Sequence, residues 1–290
     1  MINKINWNDA IFFFDVDDTL IDTFSNSLVA SDVISDVLTK EVDRNTSKLI
    51  TERFKHFFRL LANGHWSNGS VNVEHEKVMA RITELQRPVI ELYGSIRKWS
   101  REVLLTVAAE DFNCNLSDSL IYDAVDKYWE KLASLSTPKQ GVLALFAEIK
   151  KHNRPIYLVT GSDARLRRNT EGLFTYDPVE SEKFKINRME LLKDNGISFD
   201  GVSIGDPEDK PHVDFFQKAI NMVQEKSNSQ IDNKNIIMFG DSYLADLQTP
   251  KEKLFFGLVV LFHEGQDKSI EESERYISTG DLYSSLTYLV

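Results

Sequence analysis

Asp15, Asp17 and Asp18 crowd into four positions directly behind the apolar run 11–14. Carboxylates this close repel one another, and nothing about a strand end requires them. Along an extended segment side chains alternate, so Asp15 and Asp17 point one way and Asp18 the other. Two carboxylates on one side can act as nucleophile and proton-transfer group if a cation offsets their repulsion. Asp18 is left to cap the segment that follows. Three later apolar runs end in residues of the same kind. One ends in Thr160-Gly161-Ser162, the next in Gly205-Asp206 and on to Lys210-Pro211, and a third in Gly240-Asp241-Ser242, with Asp246 a turn further. On one rim they would gather carboxylates, hydroxyls and a lysine, a set suited to a hard divalent cation beside a phosphate.

For these residues to meet, the apolar runs must be neighbouring strands. Five stand out, at 11–14, 156–159, 201–204, 235–239 and 257–262, rich in β-branched and aromatic residues. Their continuous apolar character predicts strands buried on both faces, as in a parallel sheet covered by helices. The stretches 141–153 and 213–226 carry apolar residues at helical spacing between those runs. Strand and helix in alternation predict an α/β, doubly wound Rossmann-like sheet, whose ligands bind outside the carboxyl ends of the strands. Residues 22–135 differ: they hold only helical periodicity, interrupted at Pro88, with a turn-rich loop at 64–72. The expected organisation is therefore a core of 1–21 and 136–290 with an all-helical insertion at 22–135. The Glu-rich stretch 269–276 reads as a solvated helix or loop.

Composition narrows the function classes. The 290 residues are 42% hydrophobic and 27% charged, as in a globular protein. A net charge of −11 argues against a general nucleic-acid surface, which needs clustered cations. Cys114 is the single cysteine, so an internal disulfide and a cysteine zinc site are both excluded. The six histidines are scattered and form no metal-ligating pair. No long uncharged apolar segment and no leader-like start are evident, so we expect a cytoplasmic chain with no membrane partner.

The order DxDxT, strand-end Thr, Lys-Pro before a helix, then GDxxxxD resembles the four motifs of the haloacid dehalogenase-like superfamily, spanning Asp15 to Asp246. The resemblance implies that the helical insertion is a C1-type cap and that the catalytic residues are Asp15 and Asp17. Asp15 would be the nucleophile forming an aspartyl-phosphate. Asp17 would protonate the leaving oxygen and later accept a proton from water, which requires neighbouring carboxylates to raise its pKa. Asp15, the backbone of Asp17 and Asp241 would ligate Mg²⁺. Thr160 and Gly161 would bind the substrate phosphate, and Lys210 would neutralise its charge and restrain Asp15. Lys183, Lys185 and Lys218 are rivals for that lysine, but the Lys-Pro pair favours Lys210. Asp246, Ser242 and Thr19 would support the site.

The function expected from this pattern is a Mg²⁺-dependent phosphatase of a small phosphorylated metabolite. A phosphomutase of the same architecture uses the same residues, and a non-catalytic regulatory module is the alternative from another class. A dehalogenase fits less well, because by resemblance that branch lacks the acid at position 17 and needs no metal. Substrate identity and oligomeric state are not encoded in any motif found.

Overall fold

The computed structural model describes residues 6–63, 66–67, 70–263 and 271–288. Among them eleven strands form: β1 (Ile11–Phe14), β2 (Trp66–Ser67), β3 (Ser70–Val71), β4 (Ile156–Gly161), β5 (Leu166–Arg168), β6 (Phe174–Tyr176), β7 (Gly201–Gly205), β8 (Ile236–Gly240), β9 (Leu258–Phe262), β10 (Glu271–Ser273) and β11 (Tyr276–Thr279). Seven build one sheet in the order β10-β11-β9-β8-β1-β4-β7. Its six consecutive members from β11 to β7 are parallel, and β10 is antiparallel to β11. From β1 the chain builds outward through β4 to β7, then returns to place β8 on the other side of β1. That reversal puts β1 at the topological switch point, where open parallel sheets bind ligands.

The sheet is buried on both faces, as its continuous apolar runs require. Phe12 and Phe14 of β1 pack with Val142, Leu145, Phe146 and Ile149 of the helix Val142–Lys151 on one face. Ile11 and Phe13 pack with Phe215, Phe216, Ile220 and Val223 of the helix Val213–Ser227 on the other. The Phe14 ring stacks on Phe239 at 4.5 Å and meets Phe146 at 4.9 Å, so the strand end that carries Asp15 is wedged in place.

The chain divides into two compact units. The first contains Met1–Phe24, Ser136–Ser162 and Glu182–Val290 and holds the large sheet. The second contains Ser25–Leu135 and Asp163–Ser181. In the second, the helix Arg101–Glu110 is buried along nearly its whole length and packs with Arg44–Asn63, Val73–Leu85 and Asp118–Leu135. Pro88 sits in the first turn of Arg87–Tyr93, where its missing N–H costs nothing. Buried Glu102 accepts from Arg165 Nε at 2.7 Å, which ties the segment after β4 to this bundle.

Three expectations change. Residues 163–181 belong to the second unit, where β5 and β6 form a hairpin too short and arginine-rich to read as strands. The loop at 64–72 contains the two-residue pair β2–β3; positions 64, 65, 68 and 69 lie outside the described residues. The stretch 269–276 is not a helix: Glu271–Ser273 and the start of Tyr276–Thr279 are strands at the sheet edge, and 269–270 lie outside the described residues. Charged edge strands lack the apolar signature of central ones.

Candidate active site

The carboxyl ends of β1, β4, β7 and β8 bring the acidic segments together. The Asp15 N–H donates to Phe239 O at 2.9 Å, so the nucleophile candidate begins where the β1–β8 ladder ends. Behind it the chain turns back: Leu20 N–H donates to Val16 O at 2.9 Å, and Asp18 N–H to Ile21 O at 2.8 Å. Asp18 takes a left-handed φ of 64°, a conformation that aspartate tolerates better than most residues. Its side chain accepts from Phe24 N–H at 2.8 Å at the start of the helix Thr23–Ala30, and Lys139 Nζ donates to its carbonyl at 2.6 Å. Asp18 is thus a capping and turn residue.

Of the lysines considered, Lys210 is the one that reaches Asp15. Its ammonium donates to Asp15 Oδ1 and, at 2.7 Å, to Asp246 Oδ1. All three side chains are at most 8% exposed. Burial alone would lower the pKa of Lys210, but the Asp15 and Asp246 carboxylates outweigh it and hold the group above its ordinary range. Thr19 Oγ1 lies 3.0 Å from Asp15 Oδ2 and 3.3 Å from Asp241 Oδ1, and its single proton serves one at a time.

Oxygens of Asp15, Asp241 and Asp246 lie within 4.8 Å of one another. Burial pushes Asp15 well above the usual carboxylate range despite Lys210, and the charges of Asp246, Asp241 and Asp17 add to the rise. Burial likewise pushes Asp241 up to about 7, reinforced by Asp246 and Asp18 and opposed by Lys210. One ammonium does not balance this set. Three oxygen donors in a buried, under-neutralised cluster fit a hard divalent cation.

The loop after β8 fixes Asp246. Ser242 N–H donates to Asp246 Oδ2 at 3.0 Å, and Ser242 Oγ accepts from Ala245 N–H at 3.3 Å across a single π-helical turn, Tyr243–Leu247. Gly240 makes this possible, since a Cβ there would fall 2.4 Å from Asp246 Cβ. A Cβ at Gly161 would meet the Asp209 carboxylate at 3.2 Å, a tight contact that a small shift of that side chain relieves. Thr160 is fully buried at the end of β4, and its hydroxyl has no hydrogen-bond partner among the described residues. Buried hydroxyls are normally satisfied; Thr160 is unpartnered, as are the buried hydroxyls of Ser27 and Ser203, and of the three it is the one at a strand end on the acidic rim.

Asp17 departs from expectation. Its carboxylate lies outside the three-acid cluster. Thr23 Oγ1 donates to Oδ1 at 2.7 Å, Arg188 Nη2 donates to the same oxygen, and Lys185 Nζ donates to Oδ2 at 2.6 Å. Burial raises its pKa, but Arg188 and Lys185 outweigh burial and hold the carboxyl well below the usual range. The neighbouring acids therefore do not keep a proton on Asp17, as the motif spacing led us to expect. Lys185 was expected only as a rival to Lys210, and Arg188 was not expected at the site; their Lys-x-x-Arg spacing on one helix face is the signal in the sequence.

Comparisons with known proteins bear on the family and the fold. A family model for haloacid dehalogenase-like hydrolases matches residues 10–252. Among solved structures, the HAD-hydrolase YfnB of Bacillus subtilis, bound to magnesium, is similar at 13% identity with a TM-score of 0.56, covering 97% of this chain and 98% of that one. A HAD phosphatase of Thermococcus onnurineus gives 14% identity and 0.52, covering 96% of each chain. A 2-haloacid dehalogenase of Pseudomonas syringae pv. Tomato gives 15% and 0.50, covering 99% of this chain and 98% of that one. At such identities the likeness is one of fold. A comparison with curated proteins gave no match. No helix among the described residues is long and apolar enough to cross a membrane. With its acidic rim at the switch point of a parallel sheet and the family match running from β1 past Asp246, the chain belongs to the haloacid dehalogenase-like hydrolases.

Proposed function

We propose that this hydrolase is a Mg²⁺-dependent phosphatase of a small phosphorylated metabolite, working through an aspartyl-phosphate on Asp15. The observation that carries the reading is the Asp15–Asp241–Asp246 cluster, in which Asp15 and Asp246 are buried, with Lys210 as its ammonium partner. Asp15, Asp241 and the backbone at Asp17 would hold the Mg²⁺, beside Asp246. Bound there, the ion supplies positive charge to the transferring phosphoryl oxygens.

In the first half-reaction an Asp15 oxygen bonds to phosphorus as the P–O bond to the substrate alcohol breaks. The departing oxygen takes a proton, relayed from solvent through Asp17, and leaves as the free alcohol. Lys210 shifts part of its charge from Asp15 to the phosphoryl oxygens, and the Thr160 hydroxyl gains in them the acceptor it otherwise lacks. In the second half, water attacks phosphorus and gives a proton to Asp17 while the P–O bond to Asp15 breaks. Inorganic phosphate leaves, and Asp17 returns its proton to solvent or to the next leaving group. The acid at position 17 supports a phosphatase over a dehalogenase, since halide departure needs no proton. We place substrate selection in the helical insertion expected at 22–135, acting as a cap.

Phosphate release from sugar phosphates, nucleotides and phospho-acids in MgCl₂ tests the reading. Release that disappears in Asp15→Asn supports it. Isomerisation of a sugar phosphate without release would replace it with a mutase, and turnover retained by Asp15→Asn would remove the nucleophile.

A further inference from the structure

The second unit withdraws two cations from solvent without giving either a carboxylate. Lys98 and Arg101 stand at the start of the helix Arg101–Glu110. Arg101 is 5% exposed, and its guanidinium carbon lies 4.7 Å from the Phe58 ring centre, 5.0 Å from Trp129 and 5.3 Å from Tyr128. The adjacent Glu102 does not pair with it, because that carboxylate accepts from Arg165 Nε at 2.7 Å and Ser100 Oγ at 2.8 Å. Lys98 is half-buried, with its ammonium 4.8 Å from the Trp99 ring centre and 2.7 Å from Leu61 O. Burial, unopposed by any carboxylate, holds its pKa below the ordinary range. Arg165 and Lys210, which are as deeply buried as Arg101, are each paired with two carboxylates. Among the described residues Lys98 and Arg101 have none. A buried charge without a counter-ion is costly, so the pair needs a reason.

The unused donors supply it. A guanidinium carries five N–H groups in a fixed plane. Arg101 Nε donates its one to Tyr128 Oη at 3.0 Å, and Nη1 donates one to Trp99 O. Three remain, one on Nη1 and two on Nη2, along the edge that matches two oxygens of a carboxylate or phosphate. No nitrogen of Arg101 is among the fully enclosed atoms that lack a partner, so the free Nη2 lies at the surface this residue keeps. The three rings attract the charge but are weak acceptors, and they leave those donors unused. Lys98 donates to Leu61 O alone and keeps two of its three N–H groups. Both cations touch Trp99 and the last turns of the helix Arg44–Asn63, which carry Phe58 and Leu61. We propose that Lys98 and Arg101 form an oxyanion site within the second unit, for a small molecule that bears a carboxylate or phosphate. The site goes beyond the phosphatase reading and does not depend on it.

Calorimetric titration of the full chain with sodium phosphate and with sodium succinate, in EDTA at low ionic strength, tests the site. The wild type should bind saturably, and its Tm should rise with anion concentration. Arg101→Lys keeps the charge but not the two-pronged edge, and should weaken binding about tenfold. Lys98→Met should weaken it severalfold, and it carries the test if Arg101→Lys does not fold. Tighter succinate identifies a carboxylate ligand and tighter phosphate a phosphorylated one, and either result supports the site. No saturable binding by the wild type, or wild-type affinity in both variants, overturns it. Binding lost in Lys210→Met but kept in both variants puts the anion on the acidic rim and overturns it as well. No turnover is measured, so failure here leaves the phosphatase reading standing, and failure of that reading leaves this site standing.

Discussion

Lys210→Met removes the ammonium that Asp15 and Asp246 share and fills its volume with an apolar chain of similar length. Packing changes little, so the effect is electrostatic. All three side chains are at most 8% exposed. Removing one partner of a buried ion pair costs about 3–5 kcal/mol, because the charge left behind has lost both water and its counter-ion. Here two carboxylates are left behind, with Asp241 beside them. Part of the loss is limited by proton uptake, since burial already holds Asp15 above the usual carboxylate range. The lower end of the range, about 3 kcal/mol, is the expected cost at neutral pH. For a chain of this size that corresponds to a fall of roughly 5 °C in Tm. Calorimetric melts of wild type and variant in EDTA, then in MgCl₂, measure it. Mg²⁺ should raise the Tm of the variant by more than that of wild type, because it meets a cluster with one positive charge fewer. Asp15→Asn is the control and should not destabilise, since it deletes a repelling charge while Lys210 keeps Asp246. A variant melting within about 2 °C of wild type in EDTA would show that Lys210 does not hold the cluster by its charge.

Thr160→Val deletes a buried hydroxyl that has no partner among the described residues. Fold stability should hold or rise by about 1 kcal/mol, while KM for a phosphate ester rises roughly tenfold. A lowered Tm would mean that the hydroxyl is already satisfied in the free protein. Gly240→Ala places a Cβ 2.4 Å from Asp246 Cβ, so Asp246 must shift. A loss of about 1–3 kcal/mol with a fall in kcat is expected, and unchanged kinetics would show that the close approach is dispensable.

Much of the core was legible because buried parallel strands leave continuous apolar runs, and because chemistry at their ends requires residues that stability disfavours. Asp15, Lys210, Asp241 and Asp246 converge as their positions after such runs predict. Other parts left no such trace. The hairpin Leu166–Tyr176 is held by arginine contacts, among them Arg168 to Asp118 at 2.9 Å, and pairing of that kind has no periodicity to read. Strand β10 is charged because it is an edge. The state of Asp17 depends on residues nearly 170 positions away (Lys185 is 168 along), and local spacing carries no information about contacts at that distance.

The two strands that flank β1 are both made long after it. Phe12 pairs with Ile156 on one side and Ile237 on the other. During synthesis the run Ile11–Phe14 therefore emerges first and waits, with four apolar side chains and both backbone edges unpaired, until most of the chain exists. Loops that long are slow to close, so the sheet is expected to be the late event in folding. A chain that stops before Ile236 lacks β8 and leaves an open apolar edge beside β1. Such fragments should collect in aggregates rather than persist as inactive enzyme, which makes solubility a direct report on whether the active-site strand has found its second neighbour.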